Sequence, residues 1–189
     1  PEMFRISLTD ILEDVAPISF LHEVLSPKGF NASQIRDIHR SLSSSQSGKR
    51  FFTTEWEVLR DREYLWIQKK GSSQLIPELI IEEIERTPSF IIPQDKHIAC
   101  LDADQLIHPL TIRKWGKGDK FVPLGMNGKK KVSDYLTDKK FSLFQKENQY
   151  VVCSGEDIVW LVNERSDHRY RITDSTQRIL LIQIKKDGQ

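Results

Sequence analysis

Nine basic side chains lie close together in one short stretch of this 189-residue chain, residues 112–140. The same stretch has four glycines, which let the backbone turn tightly and approach a ligand closely. It has only three acidic side chains, so its net charge is +6. Lysines brought together on glycine turns attract polyanions, and nucleic-acid phosphates are the commonest such partner. The pattern therefore indicates phosphate binding, with a plain solvated basic face as an alternative of equal weight.

A second group of cations follows further along the chain, where Arg165, Asp167 and Arg169 alternate. Alternate residues of a strand share one face, so Asp167 is expected to orient either arginine for a bidentate phosphate contact. The alternative is an ordinary surface ion pair, which contributes little to stability. The full set of proposed phosphate contacts is Arg113, Lys117, Lys120, Lys129, Lys130, Lys131, Lys139, Lys140, Arg165 and Arg169.

Patterns typical of a catalytic or metal site are missing from the sequence. Its five histidines are scattered, and no two have the spacing of metal ligands. The Gly-Lys-Gly run at 116–118 lacks the flanking residues of a phosphate loop. Cys100 and Cys153 are isolated, so we expect buried thiols in a reducing compartment. We therefore expect no catalytic residue, no metal and no cofactor in this chain.

Charge is unevenly distributed along the chain and predicts two units. Residues 1–48 and 49–105 carry net charges of −2 and −3, whereas residues 106–189 carry +6. We place the boundary at 105/106, within a transition that spans residues 102–109. No apolar run approaches the ~20 residues that span a bilayer, and no signal peptide opens the chain. We therefore expect a cytoplasmic location without membrane contact, and the Pro1 start suggests an excerpt of a longer protein.

The hydrophobic pattern predicts an α+β fold. Helical spacing over residues 8–25 predicts helices, with Pro17 kinking the segment or starting a second helix. Asn31 and Gln34 form a capping-box-like start for the next helix, and one short helix is expected after the lysine run. Strands are predicted around Trp56 and Val58 and over residues 64–67, 79–84, 98–101, 110–115, 150–153, 158–162, 169–172 and 179–184. N-terminal helices with a short-stranded β region would thus precede a small mixed β-sheet domain.

Two separated runs resemble a known family. Residues 118–140 read GDKFVPLGMNGKKKVSDYLTDKK, and residues 162–170 read VNERSDHRY. In this order they resemble the signature of the C-terminal domain of bacterial tRNA(Ile)-lysidine synthetases. Upstream, residues 29–51 resemble the region that joins that family's catalytic and C-terminal domains, and Lys49 and Arg50 match a turn there. The chain departs from the family pattern at Asn163, usually glycine, and at Ser142, often proline.

The resemblance implies a function in tRNA modification. The family's full-length enzyme uses ATP, with Mg²⁺, and lysine to convert the wobble cytidine of tRNA(Ile) to lysidine. Its SGG-x-DS nucleotide loop is missing from this sequence, so the resemblance implies that chemistry occurs in an N-terminal catalytic domain with which this chain is partnered. Residues 1–105 would form a linker and substrate-binding unit of helices and a β-hairpin. Residues 106–189 would form a basic domain that binds the tRNA, mainly at its acceptor stem, and Lys49 and Arg50 are weaker RNA-contact candidates.

Two other functions are left open by the residues. In the first, the chain is a protein–protein interaction module or homodimerisation module whose basic face is only solvated. In the second, it is an independent small enzyme with a polar cleft that the sequence does not reveal. The salt dependence of RNA binding distinguishes the first from the tRNA-binding hypothesis, because phosphate neutralisation makes affinity fall steeply with salt.

Overall fold

The structure is a computed structural model that describes residues 3–44, 46–71 and 76–185. The chain forms two compact units. The first comprises residues 1–75 with 142–144, and the second comprises residues 76–141 with 145–189. The α+β class is as predicted, whereas the units divide near residue 75 and not near residue 105.

The first unit combines three helices with a four-stranded antiparallel sheet of order β1-β4-β3-β2. Its elements are β1 (Met3–Ser7), α1 (Leu8–Glu13), α2 (Pro17–Leu25), α3 (Ala32–Leu42), β2 (Lys49–Phe52), β3 (Trp56–Asp61) and β4 (Tyr64–Lys69). The helices cover one face of the sheet and form a core with it. Buried apolar residues from both layers, such as Leu21, Ile38 and Ile67, are fully inaccessible there.

Local sequence signals account for the helix boundaries in this unit. Pro17 occupies the first turn of α2, where a missing N–H costs nothing, so it starts a second helix as one of the two predicted outcomes. Asn31 and Gln34 form the predicted capping box, each side chain bonding the other's backbone amide at 3.0 Å. The strands β1 and β2 were not predicted, because their residues alternate only weakly in polarity.

The second unit contains three antiparallel sheets and short helices. Its strands are β5 (Leu79–Glu85), β6 (Ile98–Asp102), β7 (Leu110–Lys114), β8 (Lys120–Phe121), β9 (Lys130–Lys131), β10 (Tyr150–Ser154), β11 (Asp157–Leu161), β12 (Arg165–Ser166) and β13 (Arg178–Ile184). The helix α4 (Val132–Asp138) follows β9, and α5 (Leu143–Glu147) precedes β10. The sheet orders are β12-β11-β10-β7, β5-β13-β6 and β8-β9.

Long-range pairing explains where this unit departs from the predicted architecture. β13 lies between β5 and β6, which draws residues 76–105 into the second unit although their charge resembles that of the first. All strand pairs among the described residues are antiparallel, where a mixed sheet was expected. The predicted strands 150–153 and 158–162 leave four residues for the turn between them. Because Ser154 pairs with Asp157, the turn has only two residues, Gly155 and Glu156.

The core of the second unit is built mainly from the β10–β11 hairpin. Trp160 lies within the apolar run 158–162 and is 1% exposed, and Val152 and Val159 pack beside it. Cys153 is buried, whereas Cys100 is only partly buried, although burial still raises the pKa of the Cys100 thiol to about 11. The longest described helix, α3, has 11 residues, and no helix in the described ranges is long and apolar enough to cross a bilayer.

Candidate nucleic-acid interface

The ribbon of β8 and β9 carries the centre of the lysine-rich stretch. Lys120 lies opposite Lys131, and Phe121 lies opposite Lys130. Residues opposite one another in an antiparallel pair share a face, and successive residues project to opposite faces. Phe121 is fully buried against Tyr135 of α4, with the ring centroids 5.4 Å apart. Lys120 and Lys131 therefore share the solvent-facing side of the ribbon.

Lys120 and Lys131 form a cross-strand pair of like charges. Both side chains are exposed, and neither ammonium has an ion pair or hydrogen bond within residues 3–44, 46–71 and 76–185. Like charges directly opposite one another destabilise a ribbon. An anion held between the two ammonium groups would relieve that repulsion. The ribbon therefore has the geometry of an anion-binding surface.

Two other cations of the stretch are neutralised by carboxylates. The Nζ atom of Lys130 lies 2.5 Å from Oδ2 of Asp138. Arg113 donates two hydrogen bonds to Asp119, of 2.7 and 3.0 Å, and the Gly116 amide donates a third of 2.8 Å. Burial disfavours ionisation of Asp119, but Arg113 and the amide outweigh it, so the pKa of Asp119 lies below its ordinary value. Arg113 thus closes the glycine loop that precedes β8.

Asp167 is the centre of a hydrogen-bonded cluster with Arg169, Asp157 and Tyr170, which we call the hub. Asp167 is fully buried, and its carboxylate accepts hydrogen bonds from the Val122 amide (2.9 Å) and from the amide, Nε and Nη2 of Arg169 (2.8 to 3.0 Å). The guanidinium of Arg169 also donates to Asp157 at 2.8 Å, and the Tyr170 hydroxyl donates to Asp157 at 3.1 Å. The hydrogen bonds that Arg169 donates to Asp167, and then those to Asp157, raise the pKa of Arg169.

The prediction of a strand over residues 169–172 is wrong, because residues 168–170 form a 3₁₀ helix. Asp167 favours this helix because its side chain caps the first turn by accepting a hydrogen bond from the Arg169 amide. Arg165 lies on β12 instead, so Arg165 and Arg169 do not alternate along one strand. Asp167 accepts hydrogen bonds from Arg169, and every nitrogen of that guanidinium already donates to a carboxylate.

The loop between β8 and β9 is fixed by the same hub. Besides the Asp167 bond to Val122, the Leu124 amide donates to the Ser166 carbonyl at 2.9 Å, and Pro123 bridges to Asp167. The hub therefore sets the position of the ribbon that displays Lys120 and Lys131. The sequence signal for this link, VPLGM followed later by RSDHR, is visible only as a family resemblance.

The remaining predicted contacts occupy several places. Those that are exposed in the second unit are Lys117, Lys129, Lys139, Lys140 and Arg165. In the first unit, Lys49 and Arg50 lie on β2 where a turn was expected, and Arg50 is ion-paired to Glu57 at 2.7 Å. Sequence reasoning missed the cross-strand pairing of Lys120 with Lys131, because two-residue strands show no periodicity.

Comparison with known proteins finds similarity to tRNA(Ile)-lysidine synthases. Residues 1–70 match the family described as the TilS substrate binding domain. The chain is 50% identical over 187 residues to the tRNA(Ile)-lysidine synthase of Bacteroides thetaiotaomicron, covering 97% of this chain and 43% of that protein. It is 40% identical over 192 residues to the tRNA(Ile)-lysidine synthase of Parabacteroides distasonis, covering 94% of this chain and 44% of that protein. Over nearly its whole length, the chain is thus similar to a part of these tRNA(Ile)-lysidine synthases.

A solved structure adds evidence on the fold. The crystal structure of a TILS C-terminal domain superposes with a TM-score of 0.50 and 20% sequence identity, over 59% of this chain and 85% of that one. At this identity the match shows a shared fold and nothing more. The chain spans less than half the length of the tRNA(Ile)-lysidine synthases that it matches.

Proposed function

We propose that this chain is the tRNA-binding region of a tRNA(Ile)-lysidine synthase. The observation that carries the proposal is the exposed cross-strand pair of Lys120 and Lys131 on the ribbon. Double-stranded RNA is recognised mainly through its shape and phosphates, and two ammonium groups carried side by side on paired strands suit such contacts. The acceptor stem of tRNA(Ile) is the proposed target.

The exposed lysines around the ribbon extend the proposed interface. Lys117 precedes β8, Lys129 precedes β9, and Lys139 and Lys140 follow α4. We assign phosphate contacts first to Lys120 and Lys131, then to these four lysines. Arg113, Lys130 and Arg169 receive a structural role, because their charges are already matched by Asp119, Asp138 and the hub carboxylates. Arg165 and Lys49 are kept as outlying candidates, whereas Arg50 receives a structural role because it pairs with Glu57.

The whole protein would catalyse the family's reaction elsewhere in its chain. It would join lysine to the wobble cytidine of tRNA(Ile) with ATP and Mg²⁺, in the cytoplasm, on its own N-terminal catalytic domain. In this division, the two units of this chain would dock the tRNA and contribute no reacting group. Binding energy from remote contacts would then position the anticodon for chemistry.

The test measures tRNA(Ile) affinity of the full-length protein over a range of salt concentrations, for wild type and for Lys120→Ala/Lys131→Ala. The double variant should bind about tenfold more weakly at low salt. The slope of log affinity against log salt should become shallower by about 1 to 2, because each lysine that contacts a phosphate releases about one counterion.

A matched control removes two lysines whose charges are already paired. Lys96 lies 2.8 Å from Glu164, and Lys185 lies 2.7 Å from Glu78. Lys96→Ala/Lys185→Ala changes the net charge by the same amount and should leave the slope nearly unchanged. Equal slopes for wild type and the ribbon variant would overturn the proposal. A salt-insensitive wild type with a concentration-dependent mass would favour the dimerisation module.

A further inference from the structure

We propose that the tip of the ribbon, residues 123–126, contacts an unpaired nucleotide at the end of an RNA helix through the apolar side chains of Leu124 and Met126. This inference rests on the proposed function and deepens it. It assigns base contact to the tip and phosphate contact to the lysine pair. No residue of the tip was among the contacts predicted from sequence.

The tip is a tight turn that presents two apolar side chains to solvent. The Met126 amide donates to the Pro123 carbonyl at 2.8 Å, which closes the turn. Gly125 has a φ of +88°, in the left-handed region where a side chain would be strained. Leu124 and Met126 are 38% and 44% exposed. A turn usually carries polar residues at such positions.

The tip is held in place by the last residue of β12 and by His168, which follows that strand. The Leu124 amide donates to the Ser166 carbonyl at 2.9 Å, and the Gly125 amide donates to Nδ1 of His168 at 3.2 Å. The His168 amide in turn donates to the Val122 carbonyl at 2.6 Å. These bonds fix the backbone, so Leu124 and Met126 are presented without the entropy cost of ordering a loop on binding.

The neighbouring charges define what the tip can contact. Lys120 and Lys131 lie at the base of the ribbon, and Lys129 follows the tip after Asn127 and Gly128. Apolar side chains bordered by unpaired ammonium groups match a nucleotide, which joins an apolar base face to a phosphate. Leu and Met are among the residues that proteins insert against base steps.

The RNA geometry restricts this contact to an exposed base. A-form helices have a deep, narrow major groove that side chains do not read, and their paired bases are stacked. Bases in single-stranded ends can be splayed out and covered by side chains. An unpaired nucleotide adjoining the stem is therefore the ligand whose base face the tip can reach while the lysines hold stem phosphates.

The experiment compares two RNA hairpins with the same stem, one blunt and one with a 3′ overhang whose first nucleotide is 2-aminopurine. Full-length wild type should prefer the overhang by about tenfold, and 2-aminopurine emission should rise on binding as the base leaves its stack. Leu124→Ser/Met126→Ser should lose the preference and the emission change, while its salt slope stays that of wild type, because no charge is removed.

Two control variants test whether the effect depends on apolar side chains at the tip itself. Leu124→Met/Met126→Leu keeps an apolar tip and should retain the preference. Ile91→Ser/Ile92→Ser removes two other exposed apolar side chains of the same unit, 85% and 42% exposed, and should behave as wild type.

The outcomes separate the inference from the function on which it rests. A wild type that binds both hairpins with a steep salt slope but equal affinity overturns the tip contact and leaves the proposed function standing. A wild type that binds neither hairpin overturns both. If the serine variant keeps overhang preference but loses association between the catalytic domain and this region, the tip is a protein contact and the inference is wrong.

Discussion

The hub and the ribbon of the second unit are both rich in cations, yet they use those cations in opposite ways. In the hub, the Arg169 guanidinium is fully engaged by Asp167 and Asp157. On the ribbon, Lys120 and Lys131 face each other with no carboxylate between them among the described residues. The hub gains stability from its charges, whereas the ribbon is less stable because of its charges. A region that keeps unfavourable charge is a candidate for binding, and one that neutralises it is a candidate for scaffolding.

The largest effect is expected from removing the buried hub carboxylate. Asp167→Ala leaves the Val122 amide and the Arg169 guanidinium without their shared acceptor. Breaking a buried ion pair on one side typically costs about 3–5 kcal/mol. Urea unfolding should show a loss of this size. Asp174→Ala, which removes an exposed carboxylate, should change the free energy of unfolding by less than about 0.5 kcal/mol.

An intermediate effect is expected when the hub keeps its charge but loses its geometry. Arg169→Lys retains the positive charge, but an ammonium cannot reproduce the fork that bridges Asp167 and Asp157. We expect a loss of about 1–3 kcal/mol in the free energy of unfolding. The salt slope for tRNA should be unaltered. If Arg169→Lys keeps the stability of wild type but makes the salt slope of tRNA binding shallower, Arg169 contacts phosphate. The hub and the ribbon would then not differ in how they use their cations.

Features of the fold that depend on neighbouring residues could be predicted from the sequence, and those that depend on distant residues could not. The start of α2 at Pro17, the capping box of Asn31 and Gln34 and the burial of Trp160 follow from local signals, and all three are found. The 3₁₀ helix after Asp167 was missed because the hydrogen bond from the Arg169 amide to the Asp167 side chain favours a turn where the residue pattern predicts a strand. Two-residue strands carry no periodicity, so the facing of Lys120 and Lys131 could not be predicted. Residues 76–105 belong to the second unit because their strands β5 and β6 pair with β13, which lies far along the chain and could not be identified as their partner from the sequence.

A smaller effect is expected from pH. Hydrogen bonding from Arg169 is the main cause that lowers the pKa of Asp157 below its ordinary value. A carboxylate with a lowered pKa in the folded state contributes stability above its unfolded pKa of about 3.9, and this contribution is lost as the pH falls through the folded value. Asp157 is 48% exposed, so solvent screening keeps the contribution small.

The measurement for this prediction is the melting temperature of wild type and Asp157→Asn between about pH 3 and about pH 8, a range that includes the carboxylate transition. The difference between the two should be constant above about pH 5 and shrink below about pH 4. A difference that grows on acidification would show that Asp157 is destabilising and that the hub is not a charge-matched scaffold.

The contrast between matched and unmatched charge is tested most directly by two adjacent lysines of β9. Lys131 lies on the open face opposite Lys120, whereas Lys130 lies on the other face and pairs with Asp138. Each is replaced by alanine in the full-length protein, and the salt slope of tRNA(Ile) binding is measured. A third variant, Lys130→Ala/Asp138→Ala, removes the whole ion pair without changing net charge.

Lys131→Ala should make the slope shallower by about 0.7 to 0.9, the release of one counterion. Lys130→Ala should change it by less than half as much, and Lys130→Ala/Asp138→Ala should leave it at the wild-type value. Equal changes for Lys131→Ala and Lys130→Ala would mean that RNA responds to the charge of the lysine run as a whole. The geometry of the ribbon would then have no part in binding, and the central claim would be wrong.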